Sequence, residues 1–309
     1  MTQGGSMYRT VVAAMLGLAY AAPVRGGGTP DTDSASLSGS WFALTTRTTG
    51  GATPNPGFPP TRDSATRHPG VVYAFADSEL VVNQLGPTRE GNRYVYKKQS
   101  EGETRVRLQW GAAQGSAGSF LAMPDPSGRR NQWMLFERRG DWLTIATNAD
   151  GSLPASFEPR PGLQVTLLLS EAGSEARSPC RVLRKAGVED WLGFAPEFRD
   201  SGFEAPLPGP VCVTKRELTE QREVTLMTIL GADSKDLSDF RSQSESRGGK
   251  WHEEPDLGEA AFSMVSEEPG VVCFFAYKNH TVVLLESRGG PKATPDQMRE
   301  FARRVLAEF

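Results

Sequence analysis

The stretch Trp133-Met-Leu-Phe-Glu-Arg-Arg-Gly-Asp-Trp-Leu-Thr-Ile-Ala-Thr-Asn-Ala-Asp-Gly-Ser-Leu-Pro-Ala-Ser-Phe157 decides how the first half of this chain is read. Two apolar runs, Trp133–Phe136 and Trp142–Thr147, flank Arg139-Gly140-Asp141, where the glycine permits a tight reversal. That is the pattern of a β-hairpin. Counting outward from it, short strands are expected at Trp41–Thr46, Val71–Phe75, Glu79–Gln84, Arg93–Lys98, Val106–Trp110, Trp133–Arg138, Trp142–Asn148 and Val165–Ser170. In the last of these Val165, Leu167 and Leu169 alternate with Thr166 and Leu168, as in a half-buried strand. Eight short strands separated by turn residues predict an up-and-down barrel or a sandwich. A polar insertion at Gly50–Pro69, with five prolines, reads as a long loop.

The chain opens this region with Leu37-Ser-Gly39-Ser-Trp41, continues with Phe75 and Leu80, and carries Gly140-Asp-Trp-Leu-Thr-Ile145 before Pro154 and Phe157. These residues resemble the opening and the closing hairpin of small lipocalin-like bacterial domains. The resemblance covers Leu37 to Ser170 and implies a β-barrel in an exported protein, with no particular reaction attached.

The composition shifts at Ala172–Ser178, which reads as a linker dividing a barrel domain over 37–171 from a second domain over 179–309. There Pro179–Lys185 is expected as a short helix and Val211–Lys215 and Glu223–Leu230 as strands. Ser234–Arg247 reads as a polar helix with Leu237 and Phe240 inward. Ala260–Val265, Val271–Tyr277 and Thr281–Glu286 form a strand series, and the wholly apolar Val282–Leu285 predicts a strand covered on both faces. Thr294-Pro295-Asp296-Gln297 reads as a helix start, with a capping threonine and proline at the first helical position. Met298, Phe301, Ala302, Val305, Leu306 and Phe309 then make one apolar stripe. This order predicts an α+β domain with helices on one face of an antiparallel sheet. Its pattern, with the phrase Trp251 to Phe262, is similar to exported bacterial sheet-and-helix domains and to the photosystem-associated PsbP family.

At the N-terminus Arg9 precedes the apolar run Val11–Tyr20 and the small-residue site Ala19-Tyr20-Ala21. This is the pattern of a secretory signal over residues 1–21, followed by a Gly/Pro/Thr/Asp/Ser linker over 22–36. It predicts a periplasmic or extracellular protein with no integral membrane span once the signal is removed. In that setting Cys180 and Cys212 could bridge, leaving Cys273 as a buried thiol within Val271–Phe275. The 309-residue chain has a formal charge of −3, which gives a nucleic-acid partner no electrostatic support.

Catalytic signatures are sparse. His252-Glu253-Glu254-Pro-Asp256 is the densest set of acid–base or ligating groups and reads as a solvated loop ahead of a strand. The three histidines, at 68, 252 and 280, come from separate loops. Asn279-His280-Thr281 is a formal glycosylation sequon in a turn, and Gly248-Gly249-Lys250 lacks the upstream glycine and following Ser/Thr of a phosphate loop. No G-x-S-x-G or H-E-x-x-H occurs, so neither an enzyme nor a cofactor or metal site is expected. The candidate ligand-binding residues are the aromatics Trp41, Tyr73, Phe75, Trp110, Trp133 and Trp142, which either line a barrel site for a small apolar molecule or fill the barrel as core. The alternative function is an envelope scaffolding protein that docks a partner protein through the second domain.

Overall fold

The computed structural model describes residues 37–48, 51–53, 71–90, 93–98, 103–114, 117–124, 131–158, 160–200, 203–204, 211–215, 223–245, 250–265, 271–288 and 295–309. The expected signal segment and linker, His68 and most of the proline-rich insertion, the Gly248-Gly249 pair and the capping Thr294 lie outside these residues. The chain divides into two compact units, one drawn from residues up to 87 with 97–173, the other from 88–96 with 174–309.

The first unit contains β1 (Gly39–Thr48), β2 (Gly51–Thr53), β3 (Val71–Phe75), β4 (Glu79–Glu90), β5 (Arg93–Lys98), β6 (Thr104–Gln114), β7 (Ala117–Pro124), β8 (Gln132–Arg139), β9 (Trp142–Asn148) and β10 (Leu163–Ser170), although β5 and the end of β4 straddle the division. Strands β1, β3, β4, β6, β7, β8, β9 and β10 each pair antiparallel with the next, and β10 pairs back onto β1. The result is a closed antiparallel barrel of eight strands in chain order. Closure removes the free edges that an open sheet would present. Several details differ from the sequence reading. The ring does not include β5, which was expected as one of the eight, and its place is taken by β7. Residues 88–96 group with the second unit, where Tyr94 and Val95 pair in parallel with Phe203 and Glu204. Strand β7 escapes a propensity reading because Ala117-Gly-Ser-Phe-Leu-Ala-Met-Pro124 is poor in β-branched residues. In addition, Gly51–Thr53, assigned by sequence to a loop, pairs with Thr46–Thr48 of β1.

The hairpin of the opening stretch forms as expected. Arg139 pairs with Trp142 across a two-residue turn, and Gly140 at its first position has φ +60°, a value that suits glycine in tight hairpin turns. The stretch expected as a linker, 172–178, contains the division between the two units and is largely helical. Helix α1 (Glu171–Ala176) follows β10 directly, and its Ser174 is fully buried. Gly173 sits so close to Asp141 that an added Cβ would lie 2.5 Å from the Asp141 Cβ. The small side chains that suggested a linker permit this close approach.

The second unit continues with α2 (Pro179–Lys185), α3 (Val188–Leu192), β11 (Glu197–Asp200), β12 (Phe203–Glu204), β13 (Val211–Lys215), β14 (Glu223–Leu230), α4 (Ser234–Glu245), β15 (Trp251–Glu253), β16 (Ala260–Val265), β17 (Val272–Lys278), β18 (Thr281–Arg288) and α5 (Pro295–Ala307). Seven strands form one antiparallel sheet in the order β11-β13-β14-β18-β17-β16-β15. Val283 and Leu285 face the core that contains α2, α3 and α5, while Val282 and Leu284 face the core around α4. Strand β18 is therefore covered on both faces, as its unbroken apolar run implies. The helices, expected on one face, occupy both: Phe240 of α4 lies 6.5 Å from the Phe275 ring, on the face opposite Phe274 and Phe301. Alternation along β17 makes this unavoidable, since Phe274 and Phe275 are both buried and point to opposite sides.

On α5 the expected stripe is realised, with Met298, Phe301 and Val305 fully buried. The turn between β17 and β18 anchors the end of this helix. Lys278 donates to the Leu306 carbonyl at 2.7 Å and the Asn279 amide to the Phe309 carbonyl at 2.7 Å. Asn279 and His280 have φ of 45° and 57°, the left-handed pair that a two-residue hairpin turn requires.

Cys180 of α2 and Cys212 of β13 form the expected disulfide, with Cα atoms 5.1 Å apart and a sequence separation of 32. A loop of this length stabilises by about 4 kcal/mol through the unfolded state. Replacing both cysteines by serine should lower stability by about 3–4 kcal/mol, read as a lower urea midpoint with an unchanged far-ultraviolet spectrum.

Candidate functional site

Strand alternation sorts the barrel's side chains into inward and outward sets. Trp41, Tyr73, Phe75, Leu80, Val106, Leu108, Phe120, Phe136, Leu143 and Leu168 belong to one buried inward cluster, with Trp110 packed against it. Of the six aromatics proposed from sequence, Trp41, Tyr73, Phe75 and Trp110 are thus brought together. Trp133 and Trp142 are not. Each alternates with an inward neighbour, Met134 and Leu143, and so points out of the barrel. The Trp133 ring covers Gly111, where an added Cβ would lie 3.1 Å from it. Phe136, one of the aromatics of the opening stretch, and Phe120 complete the inward aromatic group; Phe120 was missed because its strand was missed.

At the end holding the starts of β1 and β4, the interior is solid. Phe120 packs edge-on against Phe75 at 5.8 Å and Trp110 at 5.5 Å, and Trp110 meets Phe136 at 6.0 Å. The Trp41 indole donates to the Leu37 carbonyl at 2.9 Å, and the Trp110 indole to the Asp77 carbonyl at 2.7 Å. The Arg138 guanidinium lies 5.3 Å from the Trp41 ring centroid and donates to the Gly140 carbonyl at 3.1 Å. This cation–π contact joins the first strand of the barrel to the hairpin turn at the far end of the chain order. Gly39, with φ +118° two residues before Trp41, adopts a backbone closed to other residues. Burial pushes the Tyr73 phenol pKa well above its ordinary value, so Tyr73 is a neutral component of this core.

Toward the other end the inward side chains become small and polar. Register places Ala43, Val71, Val82, Ala122, Gln132, Thr147, Gln164 and Thr166 in the inward set there, together with Thr46, which enters it because the irregularity between Ala43 and Thr45 shifts the alternation. Thr46 and Thr166 hydroxyls lie 3.1 Å apart. Gln132, 6% exposed, donates from Nε2 to the Asn148 carbonyl at 3.2 Å, while its buried Oε1 has no partner. On β10 the inward set is the more polar one, Gln164 and Thr166 ahead of Leu168, and the apolar Val165, Leu167 and Leu169 face outward. Alternation was legible in sequence, but its direction was not.

The acidic cluster does not converge. His252 and Glu253 are on β15, where sequence suggested a loop, and as strand neighbours they project to opposite faces. Glu253 pairs with Arg241 of α4, whereas Asp256 is exposed in the turn that follows. Glu254 turns the other way into a buried setting. It accepts from Ser263 Oγ at 2.7 Å and Arg299 Nε at 2.7 Å, and Arg299 also reaches Asp296 at 2.6 Å. Burial works to raise the Glu254 pKa, but the hydrogen bonds from Arg299 and Ser263, with the charges of Arg299 and His252, outweigh it and hold the carboxyl below its ordinary value. This arrangement ties α5 to the sheet. Among the described residues no group of three His, Cys, Asp or Glu side chains is placed to hold a metal ion. Cys273 is a buried free thiol, and burial followed by the Glu286 charge pushes its pKa up to about 12.

No protein-family model matches the chain, and no curated protein or solved structure matches it significantly. The closed antiparallel barrel is compatible with a lipocalin-like fold.

Two outcomes are expected of these groups. Because Glu254 titrates lower when folded than its unfolded value of about 4.3, it contributes stability above that pH, lost as pH falls through the folded pKa. Arg299→Met, which leaves the buried Glu254 oxygens short of donors, should cost about 1–3 kcal/mol at neutral pH and abolish this acid-side loss, as read from urea unfolding between about pH 7 and pH 3. Cys273 should resist maleimide labelling at neutral pH until the protein is unfolded, since only the thiolate reacts.

Proposed function

We propose that this chain is an exported, non-enzymatic binding protein whose barrel holds a small, largely apolar molecule. One observation carries the reading: the inward side chains grade from mutually packed aromatics at one end to alanine, valine, threonine and glutamine at the other. An eight-stranded barrel is just wide enough to be filled by its own side chains or to hold one small ligand. Large residues supply the first condition near Trp41, and small residues favour the second near Thr166. Leu143, Ile145, Met134 and Phe136 would form the apolar wall between the two. The lipocalin-like resemblance of Leu37–Trp41 and the closing hairpin points the same way.

Export is supported by the signal-like segment over residues 1–21 and by the Cys180–Cys212 disulfide, a bond that persists in oxidising compartments. Among the described residues no helix is long and apolar enough to cross a membrane. Docking of an envelope partner through the second unit draws less support, because its described large apolar side chains are covered; Leu153, in the first unit, is the exposed one at 48%.

Native mass spectrometry of protein purified from its own source should show a discrete small-molecule mass that leaves on denaturation. The same spectrum should give a polypeptide mass lacking the first 21 residues. A ligand-free mass from freshly isolated protein, together with no uptake of any apolar probe, would reduce the barrel to a packed core.

A further inference from the structure

Gln132 sits in the inward register at the small-residue end of the barrel, where Ala122 is its cross-strand neighbour and Thr147 lies diagonal to it. Its amide is not free to turn. Nε2 is committed to the Asn148 carbonyl, so the buried atom left without a partner is the acceptor Oε1. A buried acceptor with no donor is costly, and such atoms are rare enough to call for an explanation.

The surroundings narrow what could supply the donor. Thr147, Gln164, Thr166 and Thr46 extend the polar surface across β9, β10 and β1, and each can accept or donate. None of the described inward side chains at this end is charged; Arg138, the charged group in the inward register, lies at the opposite end over Trp41. A carboxylate or phosphate would be desolvated here with no counter-charge and would meet an acceptor at Gln132, so the site opposes anions. The strand itself adds a second observation. On β10 the apolar set Val165, Leu167 and Leu169 is buried outside the barrel, where Val165 packs with Ala146, Leu163 and Phe157, so the face turned inward carries Gln164 and Thr166.

Resting on the reading of the barrel as a binding module, we propose that its ligand is a neutral amphiphile. A hydrogen-bond-donating head, such as a hydroxyl or a primary amide, docks at Gln132 and the neighbouring threonines. Its apolar body lies toward Met134, Ile145 and Phe136. The head donates to Gln132 Oε1 and completes the shell that Asn148 begins.

The test uses the full mature protein and three probes of equal chain length: decanol, its methyl ether and decanoate, with affinity read by isothermal titration or tryptophan fluorescence. Decanol should bind about tenfold tighter than the ether, which cannot donate, and tighter still than decanoate at a pH where the acid is ionised. Gln132→Leu should erase the preference of decanol over the ether, with near-ultraviolet circular dichroism reporting that the barrel is intact. Should that variant fail to fold, Thr166→Val, which removes a neighbouring hydroxyl isosterically, should narrow the same preference. Equal affinity for decanol and its ether, or a preference for decanoate, would overturn the head-group assignment and leave the binding barrel standing. No measurable binding of any of the three would overturn both.

Discussion

The antiparallel pairing of β4 with β6 closes the barrel, and the inward environment of the first unit depends on it. Glu79 to Val82 of β4 pair with Thr104 to Arg107 of β6, and β5, which lies between them in sequence, is left off the ring. Once the ring is closed, each strand has one face with nowhere to go but inside. A closed ring of fixed strand number also sets the interior cross-section, so large side chains on neighbouring strands must either interlock or exclude one another. Near Trp41 they interlock, as the edge-on contacts among Phe75, Phe120, Trp110 and Phe136 record. Near Thr166 the chain supplies residues too small to do so.

This asymmetry distinguishes the two ends of the barrel along one axis. The aromatic end combines burial with specific orientation: two indole N–H groups find carbonyls, and Arg138 covers the Trp41 ring. Each buried aromatic side chain there removes a large apolar area from water. The opposite end holds Gln132 with an unpaired acceptor and inward threonines, of which Thr46 and Thr166 bond each other. A fold that concentrates its packing at one end can tolerate an imperfectly satisfied region at the other.

The second unit is organised differently. Its sheet is a two-sided partition whose central strands are apolar on both faces, and helices cover it from both sides. Two links hold the covering helices in place without relying on area alone. The disulfide joins α2 to β13, and the buried Glu254 carboxylate joins the start of the β15–β16 connection to Arg299 of α5. Glu254 can remain ionised in a buried position because Arg299 and Ser263 supply three donor contacts to its two oxygens.

Periodicity, turn residues and cysteine spacing were enough to determine much of this protein from its sequence. The hairpin around Gly140, the apolar stripe from Met298 to Phe309, the doubly covered strand at Val282–Leu285 and the Cys180–Cys212 bridge follow from local patterns or from a short set of alternatives. What tertiary structure alone decided was direction and company. A period of two cannot say which face of β10 enters the barrel, because that depends on the register irregularity in β1 and on ring closure. Weak propensity concealed β7, whose place in the ring is fixed by its neighbours rather than by its own residues. Trp133 and Trp142 were as aromatic as Trp41, yet strand parity sends them outward. Glu254 found Arg299, 45 residues away, because folding brings α5 against the sheet. Sequence encodes the tendency of each residue to be buried; only the closed ring and the packed sheet determine what it is buried against.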